Sequence, residues 1–134
     1  MGIEENKRLI RRYFEEAFNT GEDVRFDEFF SADFIDHDSF PGQVAGPDGV
    51  REAYRSWRQS FPDTRGTIND IIAEKDRVAV RTTLEATHLG AFSGIAPTHK
   101  QIKLGAVSIF RIVGGKIVER WGLTEGFKLK EQLA

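Results

Sequence analysis

The spacing of apolar residues changes near Pro62, and this change constrains the fold more than any other feature of the sequence. Before Pro62, apolar residues recur every three to four positions, as they do on the buried face of an α-helix. After it, apolar and polar residues alternate, as they do on a β-strand with one buried face. Helices first and strands last predict an α+β fold, in which helices cover one face of an antiparallel sheet.

Three helical patterns occupy the N-terminal half. The first has an apolar stripe from Leu9 to Phe18 and ends near Gly21, which can adopt the left-handed conformation found after a helix C-terminus. A short second pattern covers Val24 to Phe30. The third begins at Pro47, a residue favoured in the first helical turn, and its apolar face runs from Val50 to Phe61.

The C-terminal half contains strand patterns joined by short turns. Val78 to His88 and Ile102 to Ile112 each place alternate residues on one apolar face. A sheet with one apolar face needs a cover, and the N-terminal helices are the cover available. The patterns are a brief strand at Phe34–Asp38, longer strands at Thr67–Glu74, Val78–His88, Ile102–Ile112 and Ile117–Glu125, a hairpin turn at Gly114–Gly115 and a short helix near Leu129–Leu133.

Composition excludes several classes of protein. The chain has 134 residues, a net charge of -2 and no cysteine, which removes disulfides, thiolate catalysis and cysteine metal sites. No block of Lys and Arg suggests nucleic-acid binding. No apolar run approaches the roughly 20 residues of a membrane span, and the N-terminus lacks the apolar core of a signal peptide. We therefore expect a single domain, residues 1–134, in the cytoplasm, with neither nucleic acid nor membrane among its partners.

Six segments, in order along nearly the whole chain, resemble the SnoaL-like polyketide cyclases, also called ester cyclases, of the nuclear-transport-factor-two-like superfamily. The resemblance implies a cone, in which a strongly curved antiparallel sheet wraps around the N-terminal helices as a cystatin-like α+β barrel. It also implies a pocket for a small hydrophobic molecule and homodimers that pair through the sheet. The segments are Phe34–Asp38, Phe61–Asp63, Thr87–Thr98, Ile109–Ile112, Gly115–Trp121 and Gln132–Leu133.

The resemblance also implies a kind of chemistry. The named cyclases close a ring of an aromatic polyketide ester by an intramolecular aldol step, without a metal or a cofactor. The leading hypothesis is therefore cofactor-free acid–base chemistry, either cyclisation or isomerisation. The alternatives are a non-catalytic binding protein and an enzyme like the epoxide hydrolases. The last needs an Asp–Arg–Asp set on facing strands, and Arg81, the obvious candidate, is predicted to point away from the apolar face.

Glu125 is the predicted acid/base. By resemblance, the cyclases place an acidic residue four positions after the Trp of the last strand, usually an Asp. Glu125 has the same strand parity as Ile117 and Trp121, so it is predicted to point with them into the cone. Burial there would raise the pKa of its carboxyl group, which would suit it to act as a base and then as an acid. The alternative is a solvated carboxylate at a strand end.

Two histidines complete the predicted catalytic set. His88 ends the apolar face of its strand and could exchange a proton with the substrate or donate a hydrogen bond to it. The alternative is a core histidine that pairs with a neighbouring group. His37 faces the pocket by resemblance. Its neighbours Asp36 and Asp38 fit turn capping better than a metal site, because no second His follows at ligand spacing.

Seven further residues are predicted to bind the substrate, and core packing is the alternative for the aromatic ones on helices. The high count of Phe, 11 residues, suits either a core or an apolar cavity. His99 stands where the family motif has a Gly. Asp63 is predicted to cap a turn, and Arg111 to pair with Glu119. The predicted binding residues are Trp121, Tyr13, Tyr54, Trp57, Phe40, Phe92 and His99.

Overall fold

The structure, a computed structural model that describes residues 2–134, has its helices first and its long strands last. Pro47 lies in the first turn of α3, as predicted. The elements are α1 (Ile3–Tyr13) with a π-helical continuation (Phe14–Phe18), a 3₁₀ turn (Asp23–Arg25), α2 (Phe26–Phe29), β1 (Phe30–Asp36), α3 (Gly46–Ser60), β2 (Arg65–Glu74), β3 (Arg77–Thr87), β4 (Gln101–Val113), β5 (Lys116–Thr124) and α4 (Gly126–Leu133).

The five strands form a curved sheet in the order β1-β5-β4-β3-β2. All neighbouring pairs are antiparallel except β1 and β5, which are parallel. The inner face of the sheet carries Val78, Val80, Phe110 and Ile112, which are all buried against the N-terminal helices. The predicted α+β fold is therefore confirmed. Within residues 2–134, no helix is long and apolar enough to cross a membrane.

Aromatic rings fill the interior between α1, α2 and the sheet. Tyr13 lies at their centre, with ring centroids of Phe30 and Phe14 at 5.2 and 5.3 Å. Edge-to-face pairs of this kind stabilise a core beyond the area that they bury. The surplus of Phe therefore builds a packed core in this part of the molecule. Six phenylalanines belong to this first cluster: Phe14, Phe26, Phe29, Phe30, Phe34 and Phe110.

A bulge in β5 changes which of its residues face inward. Ile117 pairs with Ile112, but the next pair joins Glu119 to Arg111, so Val118 is an extra residue in β5. Beyond the bulge, Arg120 lies opposite the buried Phe110 and therefore points to the inner face. The prediction that Ile117 and Trp121 share one face is wrong, because the inserted residue reverses the alternation between them.

Candidate functional site

A partly open strip crosses the inner face of the sheet between two hydrophobic clusters. The second cluster gathers Phe61, Ala86 and Leu104 with Leu129 and Leu133 of α4. Between it and the first cluster, Thr82 is buried, but five other inner-facing residues are only partly buried, and several of these are small. We call this strip the inner cleft. It is formed by Leu84, Ala106, Ser108, Arg120 and Gly122.

Asp36 and Arg120 form an ion pair in the inner cleft. Asp36 is the last residue of β1 and lies beside Arg120 in the parallel pairing of β1 with β5. Oδ1 of Asp36 accepts a hydrogen bond from Nη1 of Arg120 at 3.1 Å, and the two side chains are 12% and 25% exposed. Oδ1 also accepts the N–H of Asp38. The nearest donor to Oδ2 is Nε2 of Gln43, at 3.5 Å. One carboxylate oxygen is therefore left nearly free.

The guanidinium group of Arg120 extends over Gly122. A Cβ atom at Gly122 would lie 2.5 Å from Nη2 of Arg120 and 2.9 Å from Oγ of Ser108. Both polar groups therefore occupy the space that a side chain at this position would need. Neither Nη2 nor the Ser108 hydroxyl has a hydrogen-bond partner among residues 2–134. Gly122 is needed here because any side chain would displace the guanidinium group.

The hydroxyl group of Tyr13 lies near the same ion pair. Tyr13 is 6% exposed, and its burial raises the pKa of the phenol, against an opposing effect from Arg120. Among the residues that the structure describes, none hydrogen bonds to this hydroxyl. The inner cleft thus brings together a carboxylate, a guanidinium group and two hydroxyl groups, on a background of apolar side chains.

Glu125 lies outside the inner cleft, which contradicts its predicted environment. It follows the last residue of β5 and precedes α4, and its side chain is 36% exposed. Its carboxylate is bound to Nζ of Lys128 at 2.7 Å and to the N–H of Gly105 at 2.7 Å. These two contacts lower the pKa of the carboxyl group, with the Lys128 contact as the larger cause. The predicted raised pKa is therefore wrong, because Glu125 is neither buried nor unpaired.

His88 has the predicted orientation and a fixed ring. It is fully buried, and Nδ1 accepts the backbone N–H of Thr98 at 3.1 Å. In a neutral ring the proton is then carried by Nε2. Within the described part of the chain, Nε2 is buried with no hydrogen-bond partner, a situation that costs about 1–3 kcal/mol. The ring packs against Phe61 in the second cluster, with centroids 5.3 Å apart.

His37 and Trp121 lie on the outer face of the sheet, and the prediction that they line the pocket is wrong. Their rings are stacked, with centroids 4.7 Å apart and an interplanar angle of 9°. Arg77 covers the other side of Trp121 at 4.8 Å. Nε2 of His37 contacts Glu119 at 2.8 Å, and this contact, followed by that of Arg111, lowers the pKa of the Glu119 carboxyl group. The bulge at Val118 explains the position of Trp121, whereas His37 follows the inner-facing Asp36 and therefore points to the other face.

Comparison with known proteins places this arrangement in a family. The sequence model of the SnoaL-like polyketide cyclases matches residues 8–133. The chain belongs to the SnoaL-like polyketide cyclase family. No functionally curated protein matches its sequence.

Solved structures of similar proteins support the family assignment. AclR from Streptomyces galilaeus, for which a hydroxylase function has been suggested, is 31% identical, with 98% of this chain and 82% of AclR covered and a TM-score of 0.88. IdmH from Streptomyces antibioticus, for which a polyketide cyclase function has been suggested, is 27% identical over 96% and 97% of the two chains, with a TM-score of 0.85. TsrD from Streptomyces laurentii, 23% identical over 100% and 98%, has the same fold with a TM-score of 0.89.

Two of the predicted binding residues of this SnoaL-like chain have their polar groups committed to the fold. The Tyr54 hydroxyl donates to the carbonyl oxygen of Phe18 at 2.5 Å and accepts from Nε of Arg58 at 2.7 Å. Nε1 of Trp57 donates to the hydroxyl of Thr64 at 2.8 Å. Both residues therefore anchor α3. The ring of Trp57 packs against the second cluster, as Leu84 of the inner cleft does.

The remaining predicted binding residues lie in loops. Phe92 packs edge-on against Trp57, with centroids 5.8 Å apart. Phe40 is 67% exposed in the loop between β1 and α3. His99 has a φ of 60° and is exposed. That left-handed conformation explains why the family motif has a Gly at this position, since glycine adopts it without strain.

The structural roles predicted for Asp63, Arg111 and Arg81 agree with the structure of this family member. Asp63 accepts the N–H and the hydroxyl of Thr87, each at 2.7 Å, so it ties its turn to the end of β3. Arg111 pairs with Glu119 at 2.8 Å, as predicted. Arg81 points outward and pairs with Asp70. The arginine that does point inward is Arg120.

One cavity lies apart from the inner cleft. Its volume is about 500 Å³, and it lies between the N-terminus of α1 and the turns that follow β2 and β4. Its one lining carboxylate, Asp76, is bound to Arg111 at 3.0 Å. It therefore offers no free carboxylate for acid–base chemistry. Among residues 2–134, no three His, Asp or Glu side chains form a group that could hold a metal ion.

Sequence reasoning missed the role of three residues in this cleft. Asp36 was interpreted as a turn-capping residue, and Arg120 and Ser108 were not identified. Alternation alone places Arg120 on the outer face, and only the bulge at Val118 brings it inward. Ser108 was assigned to the correct face, but nothing in the sequence indicated that Gly122 would leave its hydroxyl group uncovered.

Proposed function

We propose that this SnoaL-like chain is a cofactor-free acid–base enzyme, which acts on a small, mostly apolar carbonyl compound in the inner cleft. The proposed reaction is ring closure by an aldol-type step. One observation carries the proposal: in a chain of the cyclase family, an inner-facing carboxylate, Asp36, lies beside an inner-facing cation, Arg120. A paired carboxylate and cation in a partly desolvated cleft is an arrangement that acid–base catalysis uses.

The proposed step needs no outside reagent. Oδ2 of Asp36 removes a proton from the carbon next to a substrate carbonyl, and the electron pair of that C–H bond forms an enolate. The enolate carbon attacks a second carbonyl of the same molecule, so a C–C bond forms and that oxygen becomes an alkoxide. The alkoxide then takes the proton back from Asp36. Oδ2 suits the role because Oδ1 is occupied by Arg120 and by the N–H of Asp38.

The apolar surroundings support a hydrophobic substrate. Leu84 and Ala106 lie on the floor of the inner cleft, and Trp57 of α3 packs against the same cluster as Leu84. Apolar walls with a few convergent polar groups are typical of sites for small organic molecules. They also exclude water from the enolate, which strengthens electrostatic interactions with it.

The test compares wild type with Asp36→Asn on a panel of aromatic polyketide esters and ketosteroids. We expect kcat/KM to fall by about 10² to 10⁴ in Asp36→Asn, the usual contribution of a general base. Asp33→Asn is the matched control, because Asp33 is an exposed residue of the same strand, and it should behave as wild type. Turnover that survives in Asp36→Asn would remove Asp36 from the mechanism.

A non-catalytic binding protein is the second candidate. It is favoured by the position of Glu125, which by resemblance is the acid/base of the cyclases but here is tied to Lys128 and Gly105. Binding of panel members by wild type without any turnover, and with equal affinity in Asp36→Asn, would support this function over the enzymatic one.

We also propose that two copies pair through the outer face of the sheet. That face exposes Ile35, Val107, Ile109 and Leu123 around Trp121, with Leu123 78% exposed. A contiguous apolar surface of this kind is typical of an interface. The occupant proposed is a second copy, because members of the family commonly dimerise through the sheet.

A further inference from the structure

The inner cleft contains more hydrogen-bond donors than the proton transfer needs. Nη2 of Arg120 and Oγ of Ser108 both lie beside Gly122, at 2.5 and 2.9 Å from the position of its missing Cβ atom. The ion pair with Asp36 uses Nη1 and leaves Nη2 unpaired among the described residues. These two donors therefore lie close enough together for one substrate atom to contact both.

We infer that Arg120 and Ser108 form a seat for the substrate oxygen that becomes negative during the reaction, and that Gly122, which has no side chain, allows the guanidinium group to lie at this seat. The inference rests on the proposed function, because it assigns the enolate oxygen of that reaction to a place in the inner cleft. Donors that already point at a developing negative charge stabilise it strongly, since they do not have to reorganise during the step.

Charge balance decides what kind of oxygen the seat accepts. Before the reaction, Arg120 is neutralised by Asp36, so a carboxylate bound at the seat would be repelled by the carboxylate of Asp36. When Asp36 takes up the proton, it becomes neutral and the substrate oxygen becomes negative beside Arg120. The seat therefore favours a neutral ketone or ester carbonyl in the ground state and an enolate afterwards. Free acids are expected to bind poorly.

Ser108 and Gly122 gain specific roles from this arrangement. Ser108 lies directly opposite Gly122 in the pairing of β4 with β5. Its hydroxyl group, which has no partner among the described residues, can donate to the same oxygen as the guanidinium group. Gly122 positions the guanidinium group through its small size, because a methyl group there would lie 2.5 Å from Nη2 and push it aside.

The test measures equilibrium binding of 4-nitrophenolate, an aromatic oxyanion that mimics an enolate, by its absorbance shift. Asp36→Asn mimics the protonated carboxyl group, so we expect it to bind the phenolate more tightly than wild type. In the Asp36→Asn background, Arg120→Met should weaken binding by about 10- to 100-fold, the range for a charge-assisted hydrogen bond. Ser108→Ala should weaken it by about 2- to 10-fold, the range for a neutral one.

Gly122→Ala tests the seat in a variant that should fold, because the atoms it meets are the ends of the flexible Arg120 and Ser108 side chains. It should lose most of the phenolate affinity. Gly126→Ala and Ser56→Ala are the matched controls, since a Cβ atom at Gly126 meets nothing within 4 Å and Ser56 is exposed on α3. Thermal unfolding identifies any variant that does not fold.

Equal phenolate binding by Asp36→Asn alone and by Asp36→Asn combined with Arg120→Met or Gly122→Ala would contradict the seat. Tighter phenolate binding by wild type than by Asp36→Asn would also contradict it. The outcome is separate from that of the proposed function, because phenolate binding needs no turnover. If Asp36→Asn abolishes turnover while Arg120→Met leaves phenolate binding unchanged, the function stands and the seat falls. If Arg120→Met weakens phenolate binding but no substrate turns over, the seat is supported and the proposed function is contradicted.

Discussion

Single side chains in this chain have roles that depend on what surrounds their polar atoms. Asp36 and Glu125 are both carboxylates at the ends of strands that neighbour each other. Asp36 is held by Arg120 on the inner face with one oxygen nearly free, whereas both oxygens of Glu125 are engaged, one by Lys128 and one by the N–H of Gly105. The contacts of Glu125 suit a structural role, since they join the start of α4 to the backbone of β4.

This structural role predicts a pH dependence. The pKa of Glu125 is lower in the folded chain than in the unfolded one, so its contacts stabilise the fold above about pH 4.3, the ordinary value. That contribution is lost as the pH falls through the folded pKa. Wild type should unfold at a higher temperature than Glu125→Gln at neutral pH, and the difference should disappear once the pH lies below the lowered pKa of the folded state.

Glu131→Gln is the control for this experiment, because Glu131 is exposed on the same helix. Its unfolding temperature should track that of wild type at every pH. A difference between wild type and Glu125→Gln that persists unchanged at the lowest pH would contradict the structural role.

At the scale of elements, the alternation of apolar residues predicted the strands but not the bulge. The faces of β3 and β4 follow directly from their sequences, because each keeps an unbroken period of two. In β5, the inserted Val118 reverses the faces of all later residues. Neither residue type nor spacing marks Val118 as extra, since the bulge is a property of how β5 pairs with β4. The prediction of Trp121 as a pocket wall was wrong for this reason.

Helices α3 and α4 also differ in how far the sequence predicts them. The start of α3 was predicted, because Pro47 and Asp48 are local signals for a helix N-terminus. The position of α4 depends on long-range contacts instead. The side-chain amide of Gln132 donates to the carbonyl of Lys103 and accepts its N–H, at 2.8 and 2.6 Å. These contacts hold α4 against β4 beyond the end of β5. No local sequence pattern predicts them, because they join residues that are far apart in the chain.

At the scale of the whole molecule, the sheet separates two chemically different surfaces. Its inner face holds the cleft with Asp36 and Arg120, and its outer face holds the stack of His37 on Trp121 with exposed apolar residues around it. The predicted site residues divide between these surfaces, so they do not form the single catalytic set that the sequence suggested. Catalysis and assembly are accordingly proposed for opposite faces.

The proposed dimer predicts a mass of two chains for wild type in size-exclusion chromatography with light scattering. Leu123→Glu and Ile109→Glu each place a charge in the apolar outer face, and burying an unpaired charge is costly, so both variants should be monomeric. Val24→Glu is the control, because Val24 is 71% exposed away from the sheet, and it should remain a dimer. A monomeric wild type, or dimers in all three variants, would contradict pairing through this face.

The central claim is that the inner cleft is where a carbonyl compound binds. A two-dimensional ¹H–¹⁵N NMR titration of wild type with ethyl benzoylacetate, a small aromatic keto ester, tests it most directly. The account predicts that the largest shifts occur at the amides of Ser108, Arg120 and Gly122. Largest shifts around Glu125, around the outer-face residues His37 and Trp121, or around the cavity lined by Asp76 would contradict it.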